Sequence, residues 1–431
     1  MSEIHTIHEH STDLPLVDLR HVVRTGAVTE PAELTGVGRI ALRLLRRGAA
    51  GMARRELDEA FDRIAAVVSV QATPDFYAIH VRVLRRFLER ATDLVAKVML
   101  EPELSQDELD RLRRESVAEV VTSRDDDRHL ASRALRMLVF GDHPYGLTTR
   151  GTVETIERMT LDDAARFLDQ HLVADAFLVG AAGDIDDVAL RDCLDRTVAR
   201  LPRRSPPAAD CEPPVSVPGI RVVLVDKPER TQTQIFLGHV GTAYGDPHDL
   251  PLRVALTAFG GTFTSRLMRE VRVERGWSYG AYASMGRGRL PDLLNMWVFP
   301  AMKDAVPCIE LVLRLYEELQ AEGPTPDDVA FARDFLARSM ALQKDTASAR
   351  LTLRLKQELL GMPDDYYDTF AERVRAVTPE QARDATAARL DHRSLAIAIT
   401  CTASELAGPL RKLLGDDAVI ETIPYDSPKL A

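Results

Sequence analysis

The sequence is poor in cysteine and in long apolar runs, and each deficit excludes a class of protein. Its four cysteines, at positions 193, 211, 308 and 401, lie too far apart for a Cys-x-x-Cys metal or redox site or for an extracellular disulfide framework. The longest uncharged segment near the middle, residues 231–245, is too short to cross a bilayer. We therefore expect reduced cysteines and no membrane span.

Positive charge is also in deficit, since 55 lysines and arginines face 66 aspartates and glutamates, for a net charge of −11. This sign opposes a phosphate backbone, so nucleic acid is not an expected partner. The first ten residues hold acids and histidines where a secretory signal needs a basic patch and then an apolar run. These features predict a cytoplasmic protein with no membrane or nucleic-acid partner.

The composition is that of an ordinary folded protein, with 45% hydrophobic and 28% charged residues over 431 positions. At about 150 residues per domain, this length suggests two to four domains. Six prolines lie between residues 201 and 219. Because proline has no backbone N–H to donate, this segment cannot form regular helix or sheet hydrogen bonds. We therefore predict an N-terminal domain at 1–200, a linker at 201–219 and a C-terminal domain at 220–431.

Both halves show strand-like and helix-like segments in the same order, which indicates a duplicated unit. In the first half these segments are Leu14–Gly26, Gly36–Arg47, Ile64–Thr73, Phe76–Leu84, Phe87–Leu100, Ser105–Ser123, Leu161–His171 and Ala176–Gly183. In the second half they include a long hairpin at Trp277–Pro300, helices at Ala305–Ala321 and Pro326–Gln343, and a closing strand at Leu395–Thr400. Each half is predicted to be an α+β sandwich, an antiparallel sheet covered on one face by helices.

The most informative segment is Gly260–Ser284, in which a glycine pair precedes a helix and Arg272 is followed seven residues later by Tyr279. This segment resembles the M16 family of pitrilysin- and insulinase-like zinc peptidases. The segments GDHPYG at 141–146 and VDKPERTQTQIFLGHVG at 225–241 extend the resemblance over most of the chain. It implies two M16-like domains, with Arg272 and Tyr279 in the second domain facing the substrate.

The resemblance also implies a zinc site, built from an HxxEH helix and a later glutamate. Here Arg39 and Arg43 occupy the two histidine positions and Leu42 occupies the position of the general base. The family's third ligand is a glutamate 76 residues after the second histidine, which in this sequence is Glu119. Arginine cannot ligate zinc at neutral pH. We therefore expect a degenerate zinc site without metal, and at least one ion pair between Glu119 and the two arginines.

Some M16 members are two-subunit enzymes, in which one chain carries HxxEH and the other carries the Arg/Tyr pair. The resemblance therefore implies a non-catalytic subunit that is inactive alone and forms a heterodimer with an HxxEH-bearing, zinc-holding partner. Arg272 and Tyr279 would donate to the scissile carbonyl of a peptide substrate as it becomes an oxyanion. The alternative is a structural or peptide-binding M16-like protein with no role in proteolysis. No Ser/His/Asp or Cys/His constellation supports an independent enzyme.

Two further groups of residues invite a binding interpretation. His5, His8 and His10 nearly imitate HxxEH but have the wrong spacing, and they precede the first predicted strand, where chain ends tend to be mobile. We expect at most adventitious metal there. A second group, the basic run of Arg43, Arg46, Arg47, Arg54 and Arg55, is interpreted mainly as a solvated helical face, with a groove for an acidic peptide as the alternative.

Overall fold

The computed structural model describes residues 4–430, which form two compact units. One unit takes in the residues up to Val120 together with Thr148–Cys211 and Gln343–Gly361. The other takes in Val121–Leu147, Glu212–Leu342 and the residues from Met362 onward. Each unit therefore includes one helical segment from the opposite half of the sequence. Within residues 4–430, no helix is both long and apolar enough to span a membrane.

Both units are assembled from short strands and from helices of up to 18 residues. The strands are β1 (His5–His10), β2 (Leu16–Val23), β3 (Gly48–Ala49), β4 (Met52–Ala53), β5 (Val67–Ala72), β6 (Tyr77–Leu84), β7 (Phe177–Gly183), β8 (Arg221–Asp226), β9 (Gln234–Val240), β10 (Ala281–Met285), β11 (Leu293–Val298), β12 (Ala396–Cys401) and β13 (Val419–Pro424). The helices are α1 (Val37–Leu44), α2 (Arg54–Asp62), α3 (Leu88–Leu100), α4 (Gln106–Ser123), α5 (Asp127–Phe140), α6 (Val153–Arg158), α7 (Leu161–His171), α8 (Asp187–Arg196), α9 (Asp249–Leu256), α10 (Arg266–Met268), α11 (Ala305–Glu322), α12 (Pro326–Gln343), α13 (Ala347–Leu359), α14 (Phe370–Ala376), α15 (Pro379–Arg389) and α16 (Ala403–Leu414). Short π-helical turns follow α9 at Thr257–Gly261 and α10 at Arg269–Val273.

The first unit is built on a five-stranded sheet in the order β1-β7-β2-β6-β5, which leaves β5 at one edge. Alternate residues of its strands point to opposite faces, so each face collects its own apolar side chains. One face carries the main core of this unit, with apolar side chains of α1, α3 and α7. The other face is covered near β1 and β7 by α13, through Leu351 and Leu355.

The second unit is built on a six-stranded sheet in the order β10-β11-β9-β12-β8-β13, with β10 at one edge. Its main core lies among this sheet and helices α9, α11 and α16, and includes the long buried face of α11. Helix α5 packs against β8, β9 and β12 in the same unit. Each sheet thus receives a helix that lies far from most of its strands in the sequence.

The predicted sandwich of helices on a sheet is confirmed in both units, with two differences. First, the sheets are mixed, because β1 pairs with β7, and β8 with β12 and β13, in parallel. Parallel neighbours need long crossover connections, which the intervening helices supply. Second, the histidine segment expected before the first strand is itself β1, because Ile7 is buried against the sheet and α13.

Candidate functional site

Arg39, Arg43 and Glu119 form an ion-paired group in the first unit, which we name the Glu119 cluster. The two arginines are four residues apart on α1, so their side chains leave the same face of the helix. Arg39 Nη2 donates to Glu119 Oε2 at 2.6 Å, and Arg43 Nη2 donates to Glu119 Oε1 at 2.9 Å. Arg43 Nη1 also reaches Ser116 Oγ at 3.1 Å. The ion pair predicted from the sequence is therefore present.

The electrostatics of the Glu119 cluster favour a charged carboxylate. Burial raises the pKa of Glu119, but hydrogen bonds and charge from Arg39 and Arg43 outweigh it and hold the pKa below its usual value. Burial and the charge of Arg39 lower the pKa of Arg43, which Glu119 partly offsets. At neutral pH both oxygens of Glu119 are consequently engaged by guanidinium groups.

The residues around Glu119 do not fit a zinc ion. Guanidinium groups donate hydrogen bonds and have no lone pair for a metal at neutral pH. Leu42, at the position of the general base, is 2% exposed and belongs to the apolar core. Across residues 4–430, no group of three or more histidine, cysteine, aspartate or glutamate side chains is placed to hold a metal. Glu119 thus faces cations where a metal site would require further ligands.

The histidines of β1 are held by neighbouring groups in the first unit. His8 Nδ1 lies 2.7 Å from Asp187 Oδ1, and His8 Nε2 lies 2.8 Å from the carbonyl oxygen of Ile185. His10 Nδ1 lies 2.8 Å from that same carbonyl oxygen. The two rings therefore help to fix β1 beside the loop that follows β7.

Glu30 is a buried carboxylate that sequence analysis did not single out, and it holds the start of α1. It accepts hydrogen bonds from the backbone N–H groups of Gly36 at 2.6 Å and Gly38 at 2.9 Å, and from Tyr77 Oη at 2.5 Å. Burial raises the pKa of Glu30 to about 7, although these three donors act in the opposite direction. Glu30 thereby positions the helix that carries Arg39 and Arg43.

In the second unit, Arg272 lies between two aromatic rings. Its guanidinium carbon is 4.3 Å from the ring centre of Phe263 and 4.6 Å from that of Tyr279. Both rings are largely solvent-accessible, with Phe263 66% and Tyr279 76% exposed. Phe263 was not singled out in the sequence, although it lies in the same glycine-rich segment, nine residues before Arg272. We name these three side chains the Arg272 sandwich.

Arg272 has no acidic partner within residues 4–430, and its buried Nη1 atom makes no hydrogen bond there. The guanidinium is therefore oriented by ring faces, a cation–π arrangement, and not by a carboxylate. Its positive charge remains uncompensated by a direct ion pair. The Tyr279 hydroxyl likewise has no hydrogen-bond partner in the described part of the chain.

The backbone around the Arg272 sandwich is fixed by the neighbouring elements. Gly276 has φ of +65°, a left-handed conformation that permits the reversal between Arg272 and Tyr279. Ser278 Oγ donates to the carbonyl of Gly280 at 2.6 Å and accepts from the Phe299 N–H at 3.0 Å. Tyr279 thus lies in a short, anchored connection just before β10.

Two models of peptidase family M16 match consecutive parts of the sequence. Residues 5–153 match the family described as insulinase (peptidase family M16), and residues 158–336 match the peptidase M16 inactive domain. The chain belongs to peptidase family M16. The two matched segments together take in most of the chain, and the second of them begins within the first structural unit.

Individual M16 proteins with similar sequences and folds carry different descriptions. The chain is 20% identical to the non-peptidase homolog YmxG of Helicobacter pylori, over 92% of each chain. It is 26% identical to an uncharacterized zinc protease of Mycobacterium tuberculosis, over 78% of this chain and 77% of that protein. A solved M16 inactive domain from Pseudomonas fluorescens has the same fold, with a TM-score of 0.84 at 23% identity, covering 92% of this chain and 94% of that one.

The two candidate groups of this M16 chain fall in different matched segments. Arg39, Leu42, Arg43 and Glu119 lie in the segment that matches the insulinase model. The Arg272 sandwich lies in the segment that matches the inactive-domain model. The chain therefore combines arginines at the predicted metal-ligand positions with an accessible Arg/Tyr pair.

Proposed function

We propose that this chain is the non-catalytic subunit of a two-component M16 zinc endopeptidase. In this proposal, the Glu119 cluster is a degenerate zinc site, and the zinc and its general base belong to an HxxEH-bearing partner chain. This chain contributes the Arg/Tyr pair and half of a peptide chamber to the heterodimer. The cytoplasm remains the expected compartment.

The observation that carries the proposal is the Arg272 sandwich. A surface arginine with only a structural role commonly pairs with a carboxylate or extends into solvent. Arg272 instead lies between Phe263 and Tyr279, two large rings that remain exposed at an energetic cost in water. Such an arrangement holds the cation against the ring of an exposed phenol and leaves the Tyr279 hydroxyl and the guanidinium nitrogens other than Nη1 for a ligand.

The chemistry expected of this pair is hydrogen-bond donation to a peptide carbonyl. When water adds to the scissile carbonyl in the partner's site, negative charge develops on the carbonyl oxygen. The Arg272 guanidinium and the Tyr279 hydroxyl can both donate to that oxygen, and their pre-set orientation lowers the reorganisation needed in the transition state. This role requires no metal in the present chain.

The alternative is a structural or peptide-binding M16-like protein that takes no part in proteolysis. The name of the Helicobacter pylori relative, a non-peptidase homolog, favours this alternative for that protein. The two functions differ in whether the Arg/Tyr pair affects turnover.

Co-purification from the native cell followed by a peptidase assay tests the proposal. We expect an HxxEH-bearing M16 chain to co-purify, each chain alone to be inactive on peptides, and the reconstituted pair to be active. A partner chain that cleaves peptides equally well without this chain would exclude the proposed role and favour the structural alternative.

A further inference from the structure

Five arginines line a cavity of about 400 Å³ in the first unit, beside the edge strand β5. We name it the arginine cavity. Its lining residues are Arg39, Arg43, Arg46, Arg47, Arg54, Asp58, Val68, Ser69 and Val70. Of the basic run expected to be a solvated helical face, only Arg55, with a side chain 91% exposed, fits that description. The other members line this cavity from α1, from the 3-10 turn Leu45–Arg47 that follows α1, and from α2.

The carboxylates around the cavity do not balance its arginines. Glu119 pairs with Arg39 and Arg43, and Glu115 pairs with Arg47. Two further carboxylates complete the set, since Asp58 lies 3.0 Å from Arg46 and Glu108 lies 3.7 Å from Arg47. Five lining guanidinium groups thus face four carboxylates, and one of these, Glu108, also pairs with Arg111 at 2.9 Å, so the lining arginines keep an excess of at least one positive charge.

Two of the arginines retain unused hydrogen-bonding capacity. Arg54 reaches Glu115 and Asp58 only at 3.5 and 3.6 Å, so neither contact is a short, well-formed ion pair. Arg46 donates to Asp58 and to the carbonyl of Val68, while its buried Nε atom has no hydrogen-bond partner within residues 4–430. Because Arg46 Nε is buried, the donors that an anion in the cavity would find weakly occupied are those of Arg54.

The shape and charge of the cavity favour one carboxylate on an apolar stem. Val68 and Val70, on the same face of β5, add apolar surface to the lining of the cavity. A dense polyanion would meet repulsion from Asp58 and the neighbouring glutamates, whereas a single negative charge matches the excess. A free inorganic anion would leave the valine surface unused.

We propose that the arginine cavity binds an acidic side chain, aspartate or glutamate, of a peptide held by this chain. The proposal rests on the proposed function in that it takes peptides as the ligand, and it names acidic peptides as the preferred class. Binding at this cavity does not depend on Arg272, Tyr279 or a partner subunit, so it can be measured on the chain alone.

The test compares two fluorescently labelled peptides that differ only by glutamate or glutamine at one central position. Anisotropy titration of the purified chain at low ionic strength gives a Kd for each peptide. We expect the glutamate peptide to bind roughly five- to tenfold more tightly, because it alone forms charge-assisted hydrogen bonds. In Arg54→Gln this preference should fall to about twofold or less.

Arg55→Gln is the matched control, because Arg55 is the next residue on α2, has an i,i+4 ion pair with Glu59 and points to solvent. It should keep the full preference for the glutamate peptide. Arg39→Gln provides a second cavity variant should Arg54→Gln unfold, as judged by circular dichroism.

Three results would overturn the proposal. These are equal affinities for the two peptides, an equal loss of preference in Arg55→Gln, and binding of inorganic phosphate without binding of either peptide. None of them bears on peptide cleavage by a reconstituted heterodimer. Failure of the cavity proposal can therefore be told apart from failure of the proposed function.

Discussion

Both terminal N–H groups of the Arg43 guanidinium donate hydrogen bonds to Glu119, with Nη2 2.9 Å from Oε1 and Nη1 3.3 Å from Oε2. This two-pronged contact matches the planar fork of arginine to the two oxygens of a carboxylate. Arg39 adds a third hydrogen bond to the same carboxylate. The carboxylate of Glu119, at the predicted ligand position, is therefore ion-paired within this chain. The effect of substituting Glu119, and the dependence of stability on its charge, can thus be measured on the isolated chain.

Histidines in place of the two arginines should create a zinc site. We expect the purified wild-type chain to hold no stoichiometric zinc and Arg39→His/Arg43→His to bind about one zinc per chain, since two histidines and Glu119 supply the usual three ligands. Elemental analysis after dialysis measures this. Adding Glu119→Gln should abolish the gain. One tightly bound zinc per wild-type chain would contradict the account.

Glu119→Gln should destabilise the chain by about 1 kcal/mol at pH 7, a small effect for a charged group because the side chain is 40% exposed. The pKa of Glu119 is lowered by its arginines, so its contribution is present above the ordinary value of 4.5 and is lost as pH falls through the folded-state pKa. Urea unfolding should show the difference in stability between the two proteins shrinking as the pH falls below 4.5. Glu59→Gln, at an exposed ion pair, should change little, and an undiminished difference at pH 3 would refute the assignment.

Glu30 should make stability fall as the pH rises. Its folded-state pKa of about 7 lies above the ordinary value of 4.5, so the folded state binds more protons between these values and loses stability as pH rises through them. Glu30→Gln should flatten this part of the profile, as measured by urea unfolding from pH 5 to pH 8. An unchanged slope would show that Glu30 is charged throughout this range.

Phe263→Ala should weaken the orientation of Arg272 without harming the fold, because Phe263 is largely exposed. Loss of one cation–π contact corresponds to about 0.5–1 kcal/mol, or roughly two- to fivefold in kcat/KM of the reconstituted heterodimer. The control is Phe331→Ala, another exposed aromatic residue of the same unit, which should leave kcat/KM unchanged. Equal effects of the two substitutions on kcat/KM would show that Phe263 does not orient Arg272 for catalysis.

Sequence patterns predicted elements well where local signals were strong. Helices α7 and α12 have the predicted bounds, Leu161–His171 and Pro326–Gln343. Thr160 caps α7 in a capping box with Asp163, a signal contained within four residues. The predicted segments Ile64–Thr73 and Phe76–Leu84 contain β5 and β6, which pair as an antiparallel hairpin.

Helices α5 and α13 were not among the predicted segments, and the sequence could not reveal which sheet each would cover. Helix α13 packs against β1 and β7, which lie well over a hundred residues before it in the sequence. Helix α5 packs against β8, β9 and β12, which come long after it. Strand β1 was missed for a similar reason, because only Ile7 within it is buried and its pairing depends on β7.

In the candidate sites too, some residues could be predicted from the sequence and others could not. The Glu119 cluster was predictable because the resemblance to M16 peptidases supplied both the four-residue helical spacing of Arg39 and Arg43 and the position of Glu119, 76 residues after Arg43. Glu30 and Phe263 were not, since Glu30 acts through Tyr77, 47 residues away, and Phe263 acts through the fold of its turn against Arg272.

The proposed role of Arg272 and Tyr279 in catalysis can be tested by steady-state kinetics of Tyr279→Phe and Arg272→Ala in the reconstituted heterodimer. If both side chains donate to the carbonyl oxygen as it gains charge, each substitution should lower kcat by about 100- to 1,000-fold. The change in KM should be much smaller, because the hydrogen bond forms mainly in the transition state. Assembly with the partner and the partner's zinc content should stay intact. Full activity in both variants would contradict the account and leave this chain a structural role.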